Sequence, residues 1–521
     1  MYDRRPHDPV METVDVLIIG GGVNGAGIAR DLSGRGLSVM LCEKDDLGGA
    51  TSSSSTKLFH GGLRYLEFFE FKLVRESLLE REFLLKAMPH ISWPMRFVLP
   101  MDEDMVHTNT GSATSRVLRW TMPWLKGRRP SWVMRLGLAL YDALATNSTL
   151  PRTARLDLHE TVEGVPIKSY YKTGLEYSDG WVDDARLVVL NCRDAAARGA
   201  IIKTRTKVEQ ATAMGDAWQV SLSDGTVQSA RLVVNAGGPW VSDILQQSIG
   251  QNDPKKMRLV RGSHILTRAL YEHDKAYFLQ QPDGRIIFVI PYEQSFTLIG
   301  TTEEDHTSDP KAAHCSEAEK DYLIGAVNRY FKTPVSQSDI VWTYSGVRPL
   351  VEDVSASASS TSRDYQIELT LHQGAPILNV YGGKITTYRH LSEEAANLVC
   401  LHLRHRKVGW TKGVTLPGGD FEGSTPMEKM EQLQSDYPFL DAGWALRLIR
   451  AYGTEAWDVL GDARSIKDLG QHFGANLYQR EVDWMRSCEW AETEEDILWR
   501  RSKLGLHGAT LSAANHNGSK D

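Results

Sequence analysis

The run Val14-Asp-Val-Leu-Ile-Ile19 has one polar position and ends in Gly20-Gly-Gly-Val-Asn-Gly25, a pattern that predicts a buried parallel strand closed by a tight turn. Ala26 to Arg35 has helical composition, and Leu37-Ser-Val-Met-Leu-Cys42 reads as a second strand stopping at Glu43. From Ile201 to Ala236 the chain alternates as a β-meander, with Ser223-Asp-Gly225 as a hairpin turn, and closes in Leu232-Val-Val-Asn-Ala-Gly-Gly-Pro239. Pro376-Ile-Leu-Asn-Val-Tyr381 is a further strand, followed by Gly382-Gly-Lys-Ile-Thr-Thr387 and a helix to about Leu403. The period becomes helical from about Thr425 to Leu504, broken at Gly453 and Gly461, and His507 to Asp521 reads as a loose tail.

The order strand, glycine turn, helix, strand, acid carries chemistry. Gly20, Gly22 and Gly25 fit GxGxxG, and Gly21 and Asn24 lie in the same turn. One glycine allows the tight turn, the next lets the backbone approach a pyrophosphate, and the third lets helix and strand pack closely. Glu43, 23 residues after Gly20, stands where an acid accepts a ribose hydroxyl. The motif alone does not separate FAD from NAD. Two later strand–glycine–helix returns, through Gly237 and through Gly383 with Lys384, suit one large cofactor domain with insertions and favour FAD. A positive helix end and Lys384 would stabilise negative charge on a reduced flavin.

Composition narrows the class without identifying it. The 521 residues carry 59 basic and 66 acidic side chains, a formal charge of −7 that argues against general nucleic-acid binding. Cys42, Cys192, Cys315, Cys400 and Cys488 form no CxxC pair, so no metal site is expected and a reducing compartment is. Met1 to Val10 lacks the apolar centre of a signal peptide, and no uncharged apolar run approaches the roughly 18–20 residues of a spanning helix.

Ser52-Ser-Ser-Ser-Thr-Lys-Leu-Phe-His-Gly-Gly-Leu-Arg-Tyr-Leu66 resembles the FAD-dependent glycerol-3-phosphate dehydrogenases, the aerobic respiratory ones most of all. Glu176 to Leu187, Arg261-Gly-Ser-His264, Phe288-Val-Ile-Pro291, Ile299-Gly-Thr-Thr302, Ile340 to Leu350, Thr361 to Tyr365 and Gly382 to Arg389 agree, in the family's order. The resemblance implies an α/β fold: a Rossmann-type FAD domain, an inserted antiparallel-sheet substrate domain, and a C-terminal helical cap. The FAD domain would comprise 11–90, 181–250 and 346–405, with a substrate-side, membrane-facing insertion at 91–180 and the antiparallel sheet at 251–345. The cap would be 406–505 and the tail 506–521. The implied reaction is oxidation of sn-glycerol 3-phosphate to dihydroxyacetone phosphate, with electrons passed to a quinone at the inner face of the cytoplasmic membrane. A homodimer is compatible with this reading.

Oxidising a secondary alcohol with a flavin requires hydride departure from carbon, proton removal from oxygen, and tight orientation. A phosphate offers a handle for the planar fork of arginine. Arg64, Arg348, Arg363 and Lys384 match family active-site motifs and suit that work. His264 is the candidate general base, with substrate positioning as the alternative. His60, Gly61 and Gly62 are read as passing the flavin. Thr51 and the run Ser52, Ser53, Ser54 and Ser55 are read as hydroxyl and amide contacts to FAD, with a mere linker as the alternative for the run. Asp183 and Asp184 are read as capping the helix through Arg198, stopped by Gly199.

The reduced flavin needs an outside acceptor: quinone by resemblance, oxygen as the rival, and a catalytically inactive flavin sensor as the different-class alternative. Arg116, Arg119, Lys126, Arg128, Arg129 and Arg135 occur with Trp120, Trp124 and Trp132 between Asp104 and Asp142, where there is no acid. That mixture suits an anionic membrane surface, or a solvated basic face with its indoles in the core.

Overall fold

The computed structural model describes residues 12–63, 66, 70–102, 131–145, 148–351 and 365–511, and all that follows concerns these. The first strand, β1 (Val14–Ile19), has five of its six residues buried, as its apolar run requires. It pairs in parallel with β2 (Val39–Cys42) on one side and with Val227–Asn235 on the other. Between β1 and β2 runs helix α1 (Val23–Gly34), which begins three residues before the predicted start because Gly22 serves as its N-cap. The first sheet has eight strands, with Gln366–His372, Ala375–Tyr381, Val227–Asn235, β1, β2 and Ile201–Lys203 in that order. The predicted meander supplies the outer hairpin Val208–Met214 and Ala217–Leu222.

Helices cover this sheet. Ala26, Ile28, Ala29 and Leu32 of α1 pack with Val188, Val189 and Cys192 of helix Asp184–Ala197 and with Leu391, Ala395 and Val399 of helix Tyr388–His402. Trp218, Val220, Val241 and Leu245 close another cluster with Leu17, Met40 and Val233. The five strands that pair in parallel at the centre of this sheet, covered on both faces, leave their ends as the place for a ligand.

The second sheet has ten strands, mostly antiparallel, running Glu304–Asp305, Met257–Arg268, Phe296–Gly300, Ile286–Tyr292, Ala276–Gln280, Ser92–Pro100, Thr173–Val182 and Leu58–Phe59, with Ile340–Val351 beside Met257–Arg268 and Ala154–Asp157 beside Thr173–Val182. Ile340–Val351 is one continuous strand across the expected border at 345/346, and Leu58–Phe59 joins this sheet although it lies in the first expected cofactor segment.

The C-terminal helices Pro426–Asp436, Ala442–Tyr452, Ala456–Leu460 and Gln479–Glu489 share a core of their own around Leu433, Leu448, Ile449, Val482 and Met485. Gly453 and Gly461 end two of them, at φ 58° and 56°. Arg186, on the helix packed against the first sheet, bonds Glu489 at 2.6 Å with both side chains fully buried, and Arg501 bonds Asp46 at 2.7 Å. Arg501 also lies 3.9 Å from Glu489 and Arg500 bonds Asp46 at 2.6 Å, so a buried charge network, costly to break, fixes where the cap sits.

Candidate functional site

A cavity of about 1200 Å³ runs between the strand ends of the first sheet and the inner face of the second. Gly20, Gly22, Asn24 and Glu43 line one part, and Gly237, Gly383 and Lys384 come from the two other returns of the first sheet. The three predicted returns therefore meet at one cavity.

The glycine turn is forced by contact. Gly20 has φ of 110°, and a Cβ on Gly25 would lie 1.9 Å from the Gly20 carbonyl oxygen, so neither position accepts a side chain. Ser52 Oγ accepts a hydrogen bond from Val23 N at 3.0 Å, which brings the serine segment to the N-terminus of α1. An orphan helix end lined by glycines suits pyrophosphate oxygens. Glu43 accepts from Gly21 N at 2.7 Å and Asp45 N at 2.9 Å. Burial pushes its carboxyl up, against the pull of those two N–H groups. A carboxylate has about four lone-pair sites, so it can still accept ribose hydroxyls. Asn24 Nδ2 donates to Gly382 O at 3.1 Å and ties the first return to the third. This cradle fits FAD, which when bound supplies a two-electron hydride acceptor.

The remaining predicted contacts divide. Ser52, Thr51, His60 and Gly62 line the cavity, whereas Ser53 and Gly61 do not. Thr51 Oγ1 donates to Val347 O at 2.6 Å, locking the serine segment to the strand that bears Arg348. Gly61 is held from behind, its N–H donating to Tyr141 Oη at 2.8 Å, and Tyr141 donates to the buried Asp179. Arg348 lines the cavity, with Glu303 at 3.9 Å, and its guanidinium passes close over Gly262. Arg64 and Arg363 lie outside the described residues, as does the basic and aromatic stretch up to Pro130.

His264 is fully buried and is not among the residues that line the cavity. Its ring stacks on Tyr344, centroids 4.7 Å apart, and its Nε2 lies 3.0 Å from Oγ1 of Thr56, which does line the cavity. Burial first, then Arg348 and Lys57, push the imidazole well below its ordinary range, so it is neutral at working pH. Lys57 is held by Asp184 at 2.6 Å, and Asp184 also accepts from Ser55 Oγ at 2.7 Å. Asp183 caps its helix by accepting from Arg186 N, as expected, but Asp184 anchors the segment carrying Thr56. The sequence reading assigned no role to Thr56, although it stands inside the serine segment. Its signal was three-dimensional, arising from a strand 208 residues away.

Comparison with known proteins gives the family. Residues 15–389 match the family described as FAD dependent oxidoreductase, and 410–516 match the C-terminal domain of alpha-glycerophosphate oxidase. The chain is 45% identical to a glycerol-3-phosphate dehydrogenase of Pseudomonas aeruginosa over 96% of its own length and 94% of the relative's. It is 44% identical to a D-erythritol 1-phosphate dehydrogenase of Brucella abortus, over 95% of each chain. The solved glycerol-3-phosphate dehydrogenase from Bacillus halodurans, complexed with FAD, superposes with a TM-score of 0.72 at 25% identity, covering 95% of this chain and 86% of that one.

Proposed function

Because the chain belongs to the family of FAD-dependent glycerol-3-phosphate dehydrogenases, we propose that it oxidises sn-glycerol 3-phosphate to dihydroxyacetone phosphate and passes the electrons to a membrane quinone. The observation that carries this reading is the meeting, at one cavity, of the FAD cradle with Arg348, Lys384 and the Thr56–His264 pair. Arg348 grips the phosphate, and Lys384, at the third glycine return, meets the reduced flavin or the substrate. Arg64 and Arg363, which match the family's active-site motifs in sequence, lie outside the described residues. The neutral imidazole is the sink for the alcohol proton. Arg348→Ala is expected to raise the Michaelis constant for the phosphate ester by at least about tenfold, the loss of a charge-assisted bidentate contact. Unchanged Michaelis constant and turnover would place phosphate recognition elsewhere.

Leu63, Leu73, Tyr177, Phe278, Ile286 and Phe288 are among the residues that line the cavity, and this apolar surface supports an apolar acceptor. Helix Ser131–Leu144 exposes Trp132, Leu136 and Leu140 at helical spacing while burying Leu138 and Tyr141, which supports docking at a membrane surface. Among the described residues no helix is long and apolar enough to cross a membrane. Vesicle sedimentation checks this: binding should weaken on removing anionic lipid, and Leu136→Lys should reduce it. The match of 410–516 to an oxidase cap domain keeps oxygen as the second acceptor reading. Substrate-dependent quinone reduction exceeding peroxide formation supports the first; the reverse supports the second.

A further inference from the structure

The imidazole of His264 is sealed off from the cavity. Its side chain has no exposed surface, and Nδ1 has no hydrogen-bond partner among the described residues. Nε2 has one, Thr56 Oγ1 at 3.0 Å. A proton reaching this ring along hydrogen bonds therefore arrives through Thr56. We propose that Thr56 is the group that takes the hydroxyl proton of the substrate from the cavity, handing its own hydroxyl proton to His264 Nε2. This deepens the proposed alcohol oxidation and rests on it.

Both ends of the pair are held in place. Behind the ring lies Tyr344, stacked at an interplanar angle of 17°. In front of it lies Gly300, where a Cβ would come within 2.1 Å of His264 Cδ2. The segment bearing Thr56 is fastened on both sides: Tyr344 Oη donates to Ser55 O at 2.9 Å, and Asp184 binds Ser55 Oγ and Lys57 Nζ. The residue that stacks on the imidazole thus also tethers the loop that presents the hydroxyl. Positioning of this kind, with donor and acceptor held at hydrogen-bond distance, is what general base catalysis needs.

The proton inventory closes. The substrate O–H bond breaks and its proton bonds to Thr56 Oγ1, while the former Thr56 proton bonds to Nε2, leaving threonine neutral and the imidazole protonated. The carbon-bound hydrogen leaves with its electron pair to the oxidised flavin, and the alcohol becomes a ketone. Burial above all, and then the cations Arg348 and Lys57, oppose charge on the ring. A phosphate dianion beside Arg348 offsets one of these cations, so substrate binding raises the ring's proton affinity at the moment it is needed. Thr56 is then the catalytic residue in contact with substrate, and His264 the positioning and proton-storing residue behind it.

The test is anaerobic stopped-flow bleaching of the purified holoenzyme by sn-glycerol 3-phosphate, with Thr56→Val, Thr56→Ser, His264→Ala and the Val/Ala double variant. Thr56→Val should bleach at least about 100-fold more slowly, the scale of a lost general base, with FAD content intact and substrate affinity changed less than about threefold. Thr56→Ser should stay within about fivefold of the parent, and the double variant within about threefold of its slower single, because the two groups act as one path. In Thr56→Val the imidazole nitrogen resonance that His264→Ala abolishes should also move, without substrate present. A Val variant as fast as the parent, a Ser variant as slow as Val, multiplicative losses, or an unmoved resonance would each overturn the relay. A parent that holds FAD yet is not bleached would instead overturn the substrate reading and take the relay with it.

Discussion

Gly300→Ala is a sharp test of how the second sheet holds His264. The added methyl would meet His264 at 2.1 Å (Cδ2), 2.7 Å (Cγ) and 2.8 Å (Nε2). Ordinary carbon–carbon contact is about 3.5 Å, so the ring must retreat by roughly 1.4 Å. Tyr344 blocks that retreat from its stacked position, and the hydrogen bond to Thr56, 3.0 Å in the parent, cannot survive a shift of that size. Overpacking costs about 1–3 kcal/mol and the lost hydrogen bond about 0.5–1.5, so destabilisation of about 1.5–4.5 kcal/mol is expected. The control is Gly325→Ala, exposed in helix Glu317–Tyr330 with nothing within 4 Å of the new methyl. It should stabilise by about 0.5–1 kcal/mol, as alanine for glycine in an open helix does. Thermal melts of both holoenzymes, with flavin reduction rates, read the two effects. If both variants melt alike and reduce flavin alike, the steric reasoning about His264 is wrong.

Three further outcomes follow from the same structure. Arg186→Ala leaves the buried Glu489 carboxylate with only Arg501, at 3.9 Å, as a cationic partner among the described residues and should cost about 3–5 kcal/mol, seen as earlier unfolding of the cap in urea. Glu319 is driven up by burial but brought down to about 2 by bonds from Ser316, Thr302 and Ser263. Its folded value is below the usual one, so its stabilisation is complete above about pH 4.5 and drains as pH falls towards 2; a displacement from 4.5 to about 2 corresponds to about 3 kcal/mol. Glu319→Gln should therefore flatten the acid limb of the stability profile in that window, and an unchanged limb would refute the assignment. Lys311 bonds Asp45 at 2.8 Å and Asp309 accepts from Trp240 at 3.3 Å, a strap beside the Glu43 end of the cavity. Lys311→Ala should speed FAD release by no more than about fivefold, and less at high salt, because the pair is exposed; fluorescence of released flavin reads it.

The parts of the fold that were legible in sequence are those specified locally. The strand Val14–Ile19, its glycine turn and the acid at 43 lie within 30 residues, and each signals its own geometry. The breaks at Gly453 and Gly461 were legible because positive φ selects glycine. Leu58–Phe59 was not, since two residues carry no period, and its pairing with Gly180 and Trp181 is decided by tertiary context. The site shows the same division. Gly20, Gly22, Asn24, Glu43, Arg348 and Lys384 reach the cavity directly. His264 reaches it through Thr56, because alternation along a strand says which face a side chain takes but not what stands in front of it. Asp183 and Asp184 look alike in sequence, yet one caps a helix and the other anchors the loop of Thr56.

The central claim is that one cavity joins an FAD cradle to a polyol phosphate site. Anaerobic titration of the purified holoenzyme with sn-glycerol 3-phosphate, followed by the visible absorbance of oxidised flavin, tests it most directly. Stoichiometric bleaching and one equivalent of dihydroxyacetone phosphate are expected. Protein that carries FAD and stays fully oxidised with excess substrate would contradict it.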